Sequence, residues 1–139
     1  MADGYALATQ VAIIAALKAN AGVTALVGQR IYDEPPTGVT FPYLRISSIE
    51  PAAWDTTCTQ GATVQIGLEA HSRATQGRVE ATQIAEAVQA ALHRNEASLT
   101  VTGYNLIEMI FQTYVADRDP EGRGFTVRMA FQALLETPA

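Results

Sequence analysis

Cysteine is almost missing: the chain of 139 residues has one, Cys58. A single thiol makes no intrachain disulfide, and no second cysteine stands at metal-ligand spacing. Disulfide-stapled and zinc-ribbon scaffolds are therefore excluded, and a reducing compartment fits. Histidine is nearly as scarce. His71 and His93 stand too far apart in sequence for a ligand pair, and neither comes with an indicated partner that would make it a general base. The simplest readings are a surface histidine at a strand end and a histidine at a helix C-terminus.

Charge is also short. Charged residues make up 17% of the chain, against about 25% in an average soluble protein. Acidic residues outnumber basic ones by 14 to 9, for a net charge of −5. So few lysines and arginines cannot displace many phosphate counterions, which argues against gripping nucleic acid but not against lying beside it. No apolar run is long enough to span a membrane: Val11–Leu17 is broken by Lys18 and Asn20. The flank before that run holds Asp3 and no Lys or Arg, so the positive region of a signal peptide is missing. The expectation is an intracellular soluble protein without a membrane partner. Nucleophile-elbow, Walker A and dinucleotide-binding motifs are absent.

What the chain does have is a hydrophobic content of 48%, enough for one core in a single domain over residues 1–139. Asp3 is placed to cap a helix from Gly4 to Asn20, stopped by Gly22. Its apolar stripe is expected at Leu7, Val11, Ile14 and Leu17. Val23–Gly28 reads as one further short turn of helix. A strand over Tyr43–Glu50 follows, then a turn-rich stretch Pro51–Gly61 containing Trp54. A second strand, Ala62–Ser72, turns Val64, Ile66, Leu68 and Ala70 to one side. Thr75 is a candidate cap for a helix from Gln76 to Arg94, buried along Ala81, Ile84, Ala85, Val88 and Leu92. His93 and Arg94 would complement the helix dipole in its last turn. Leu99–Gly103 reads as a short strand leading into Tyr104–Val115. There Ile107, Met109, Phe111 and Val115 are expected to face the core, leaving Leu106, Ile110 and Tyr114 on the solvent face. Arg118–Gly124 is a loop, and Phe125–Leu135 alternates as the last strand, forming a hairpin.

The expected fold is therefore α+β, in the order α-β-β-α-β-β with an optional further strand. A mainly antiparallel sheet of four to five strands carries two helices on one face.

Three features bear on function. Arg30–Tyr43, "RIYDEPPTGVTFPY", reads as a rigid crossover: Pro35 and Pro36 hold an extended path, and Pro42 opens a strand. Its tip, Glu34–Thr40, is a candidate contact with a neighbouring subunit. Asp117–Gly122 imitates the first half of a calcium loop, but its twelfth position is Arg128 where a glutamate is needed, and it joins strands. Asp117, Asp119 and Glu121 are better read as a charged loop tip. Finally, a bare apolar sheet face is rare in monomers, so Tyr32, Pro35, Pro36, Phe41, Trp54, Leu106, Ile110 and Tyr114 are candidates for a subunit or partner interface. An anchor role for Trp54 fits the enrichment of tryptophan at binding hot spots.

The order and spacing of "ALVGQRIYDEPP…FPY", of "LEAHSRATQGRVEA" and of the closing "GFTVRMAFQALLE" resemble the tail terminator, or tail completion, proteins of long-tailed bacteriophages and related gene transfer agents. The likeness runs from about Leu7 to Glu136. It implies a non-enzymatic virion protein without cofactor or metal, at the head–tail junction, assembled in the bacterial cytoplasm. It implies a ring, typically of six subunits, that caps the tail tube and docks on a head-side connector or stopper while DNA passes through the lumen. Its partners would be itself, the tail tube protein and the connector. Two neighbouring readings are a connector stopper and a small non-catalytic binding module. A third class, an enzyme built on His71 or Cys58, lacks the converging polar groups that a pocket needs.

Overall fold

The computed structural model of the protein describes residues 4–55, 58–73, 78–119 and 124–138. Helix α1, Tyr5–Ala19, ends at Asn20, whose side chain then opens α2, Ala21–Val27: its Oδ1 accepts the Val23 N–H at 3.0 Å. One asparagine thus closes one helix and caps the next, so Gly22 lies inside α2 and does not stop α1. Gly4 takes the N-cap position of α1, and the expected cap Asp3 lies outside the described residues.

Strand β1, Ile31–Tyr32, pairs in parallel with the start of β2, Tyr43–Asp55. Strand β3, Gln60–Ser72, makes a long hairpin with β2. Helix α3, Val79–Leu92, then leads through a 3-10 turn, Glu96–Ser98, to β4, Asn105–Arg118, and β5, Phe125–Glu136. The sheet order is β1-β2-β3-β5-β4. Because β5 inserts between β3 and β4, the β3–α3–β4 unit is a split crossover.

The fold class is α+β as expected, with additions. The sheet is mixed, the described residues form three α-helices, and the fifth strand is β1, not Leu99–Gly103. Leu99 and Val101 are buried without joining the sheet. The stretch after Glu50 continues β2 instead of turning, so Trp54 sits in a strand and not in a loop. The helix Val79–Leu92 buries the expected stripe plus Ala91. Thr75 and Gln76 lie outside the described residues.

All three helices join one core with the inward face of the sheet, where Phe131, Ile66, Leu68, Leu44 and Leu135 are fully buried. Each such side chain contributes about 1.5–3 kcal/mol relative to exposure. On α1 the expected face is rotated. The buried side is Ala8, Thr9, Ala12, Ile13 and Leu17, whereas Leu7 and Val11 are 49% and 55% exposed. The helix is apolar nearly all round. Its inward side mixes the small Ala8 and Ala12 with the fully buried Ile13 and Leu17, and Ile14 packs against the core from the flank.

Candidate assembly interface

The side of the sheet away from the helices is open. Its residues follow from register: Tyr43, Arg45, Glu50 and Trp54 on β2; Gly61, Gln65, Glu69 and His71 on β3. Across from them stand Thr126, Arg128, Gln132 and Leu134 on β5, and Glu108, Ile110 and Val115 on β4.

Two bulges in β4 decide which of its residues belong here. The pairing slips between Leu106 and Glu108 and again between Phe111 and Thr113. Each extra residue flips the face of everything beyond it. Met109 is therefore in the core, and Leu106, Phe111, Tyr114 and Ala116 pack against it. Ile107 and Val115, expected inside, are 40% and 51% exposed. Leu106 and Tyr114 are thus on the helix-bearing face, contrary to the alternation read from sequence, and Ile110 alone of the three is on the open face. There Ile110 shares a shallow hollow with Glu108, Gln132 and Leu134.

The other end of the open face is polar. Glu69 lies between Arg45 and Arg128, 3.9 Å from each, and 3.0 Å from His71 Nε2. Exposed pairs at such distances add little stability. Thr126 Oγ1 stands 3.2 Å from His71 Nδ1. A hydroxyl–imidazole–carboxylate line has the layout of an acyl-transfer triad. However, Thr126 is only 2% exposed, so its hydroxyl has no room for a substrate, and the line serves to tie β3 to β5. Among the described residues no group of three His, Cys, Asp or Glu side chains is placed to hold a metal.

The crossover closes on this same end. Leu44 N–H donates to Arg30 O at 3.0 Å, and Arg30 Nε donates to Pro42 O at 2.8 Å. Tyr43 is the hub of its aromatic rings, with Tyr32 at 6.2 Å, Phe41 at 5.1 Å and His71 stacked at 4.9 Å. Burial holds the Tyr43 hydroxyl above its ordinary pKa, opposed by Arg45 and reinforced by Glu69 and Asp119. The Arg73 guanidinium covers the Phe41 ring at 4.1 Å, so Tyr32 and Phe41 anchor the crossover to its own sheet. Pro35 is half-buried and Pro36 exposed at the tip. Trp54 lies over Gly61 at the far end of the open face, and its indole Nε1 makes no hydrogen bond. Asp117 is exposed and Asp119 half-buried beside the β4–β5 turn, while Glu121 lies outside the described residues.

The outer edge of β4 is engaged by the chain just after α3. Arg94 N–H donates to Met109 O at 2.8 Å, and Met109 N–H donates to Glu96 Oε2 at 3.3 Å. Phe111 N–H donates to His93 Nδ1 at 2.9 Å, which requires that nitrogen to be unprotonated. Arg78 Nε donates to Ala116 O at 3.0 Å. His93 is therefore the C-cap residue of α3, just beyond its last turn, and a lock on the sheet edge. Sequence reading missed this lock and the Glu69 network. Both depend on strand register, and no motif signals them.

This is a two-layer α+β domain with helices on one side of the sheet and an open sheet face on the other. A solved structure described as "Virion of native gene transfer agent (GTA) particle" contains a chain similar to it. The two are 26% identical, with a TM-score of 0.84, over 96% of this chain and 99% of that one. The family model described as Tail completion protein gp17 matches residues 11–136, and the chain belongs to that family. No curated protein sequence matches it. Membership places it among the structural components of virion tails.

Proposed function

We propose that the protein forms a ring of six subunits at the head-proximal end of a tail tube. The ring ends tube polymerisation and presents the surface that docks on a head-side connector or stopper, and DNA passes through its lumen. The observation that carries this reading is the likeness, over 96% of this chain, to a chain of a gene transfer agent virion. The net charge of −5 supports a conduit role: a lumen that DNA must traverse gains nothing from a basic lining that would hold it. Membership of a family of structural virion proteins supports a non-catalytic part.

The test is electron microscopy of the protein mixed with tail tube subunits. Tubes of limited length, each with a ring at one end, are expected. Unlimited, uncapped tubes would sink the proposal. A ring bound to connector proteins but never to tubes would move the protein to the stopper position.

A further inference from the structure

Both edges of the sheet carry features that oppose strand addition. On β2, the Leu44 N–H points away from β3, toward Arg30 O. Past the bulge between Ile46 and Ser48, the residues sharing Leu44's face are Ile49, Pro51 and Ala53. Residues of one face point their N–H to one side of a strand, so Pro51 puts its missing donor on the free edge, where an added strand would need it. On β4, Met109, Phe111 and Ala116 have their outward groups engaged by Arg94, Glu96, His93 and Arg78. A second copy cannot extend the sheet from either side without breaking these features. Assembly is left to the faces.

The two faces are complementary. α1 carries an outward ridge of Leu7 and Val11, four residues apart, with the half-buried Ile14, which also packs against the core, at its flank. The ridge runs on by seven residues from Val11 to Lys18, which is exposed and is the only charged residue of the helix. The hollow on the open sheet face has the matching parts: Ile110 and Leu134 as apolar walls, and Glu108 as its one charge.

We propose that α1 of one copy lies across the β4–β5 half of the open face of the next. Leu7 and Val11 cover Ile110 and Leu134, and Lys18 meets Glu108. The two patches are different surfaces of one molecule on opposite layers, so the contact is head-to-tail. Such contacts close into rings or run on as filaments, whereas a two-fold dimer would use one patch twice. A helix covering a bare sheet also repeats the packing inside each subunit. The inference rests on the ring reading and specifies the surface by which the ring is closed.

Single-cysteine variants test it on a Cys58→Ser background: Val11→Cys and Ile110→Cys, mixed on tail tubes under mild oxidation. Both positions are off the core, so the variants should fold. A cross-linked dimer that appears only in the mixture is expected, as is a ladder from the doubly substituted chain. Dimers formed by Val11→Cys alone or Ile110→Cys alone, with none added on mixing, would overturn the head-to-tail contact. Rings on tubes without any cross-link would overturn the contact and leave the ring reading intact. Mixed cross-links without rings would keep the contact and sink the ring. In the same assay, Lys18→Glu and Glu108→Lys should each lower assembly about tenfold, and the pair together should restore it. Failure of the pair to restore assembly would remove the Lys18–Glu108 contact.

Discussion

The two edges of the sheet solve one problem in different ways. The β2 edge is closed from within the strand, by a bulge at Ser47 and by Pro51, with β1 covering only Leu44 and Arg45. The β4 edge is closed from outside, by backbone and side chains that α3 and its following turn bring to it. The first device is local and costs the fold little, but it leaves Pro51 and Ala53 exposed on the nominally inward face. The second is welded to the core through Met109 and Phe111. An edge protected by its own covalent chemistry stays protected if the domain loosens, and an edge protected by tertiary contacts does not.

Substitutions at four positions would break or sharpen that contrast. Met109→Ala, at a residue 1% exposed on the welded edge, should cost about 2–5 kcal/mol in denaturant unfolding, since it leaves a cavity. Gly61→Ala acts behind β2. An added Cβ would run into the Trp54 indole and the Leu135 carbonyl, at a cost of about 1–3 kcal/mol for overpacking. A blue- or red-shifted tryptophan emission would report the displaced ring, and unchanged emission would count against this packing.

His93→Ala should cost about 1 kcal/mol by leaving the Phe111 N–H without its acceptor. Amide exchange at Phe111 should quicken, and His93→Asn, which offers an oxygen acceptor, should recover part of the protection. If Phe111 exchanges no faster in the alanine variant, the β4 edge is not locked by His93. The smallest effect on stability is expected for Pro51→Ala, under about 1 kcal/mol. It restores a donor on the free β2 edge, so its signature is self-association by sedimentation, and a strictly unchanged sedimentation profile would mean that the bulge alone protects β2.

Local chemistry made β5 legible from sequence. Phe125 to Leu135 alternate without interruption, and every expected inward residue is buried. It was not enough for β4, whose sequence alternates as well. Its two bulges turn Leu106 and Tyr114 inward and Ile107 and Val115 outward. A bulge leaves no mark in the residue pattern because the extra residue is an ordinary one, here among β-branched and aromatic neighbours that suit either face. Helix α1 is legible only in part. With alanines and larger apolar residues on nearly all sides, the single stripe read from its periodicity is half right: Leu17 is buried, whereas Leu7 and Val11 are outside and Ile13 is inside. The candidate interface is therefore half legible: alternation assigns Ile110 to the open face, where it lies, and Leu106 and Tyr114 to the same face, where they do not lie, and Trp54 reads as a loop residue but stands in a strand.

By itself, then, the sequence determined the class, the number of long strands, the stripe of α3, the crossover anchored at Tyr43 and the family likeness. Those features follow from propensity, alternation and turn chemistry within short windows. Tertiary structure alone decided which side of α1 and β4 is inside, that Trp54 stands in a strand over Gly61, and that His93 guards an edge. These depend on register between strands far apart in the chain, where one residue of slip exchanges the core for the surface.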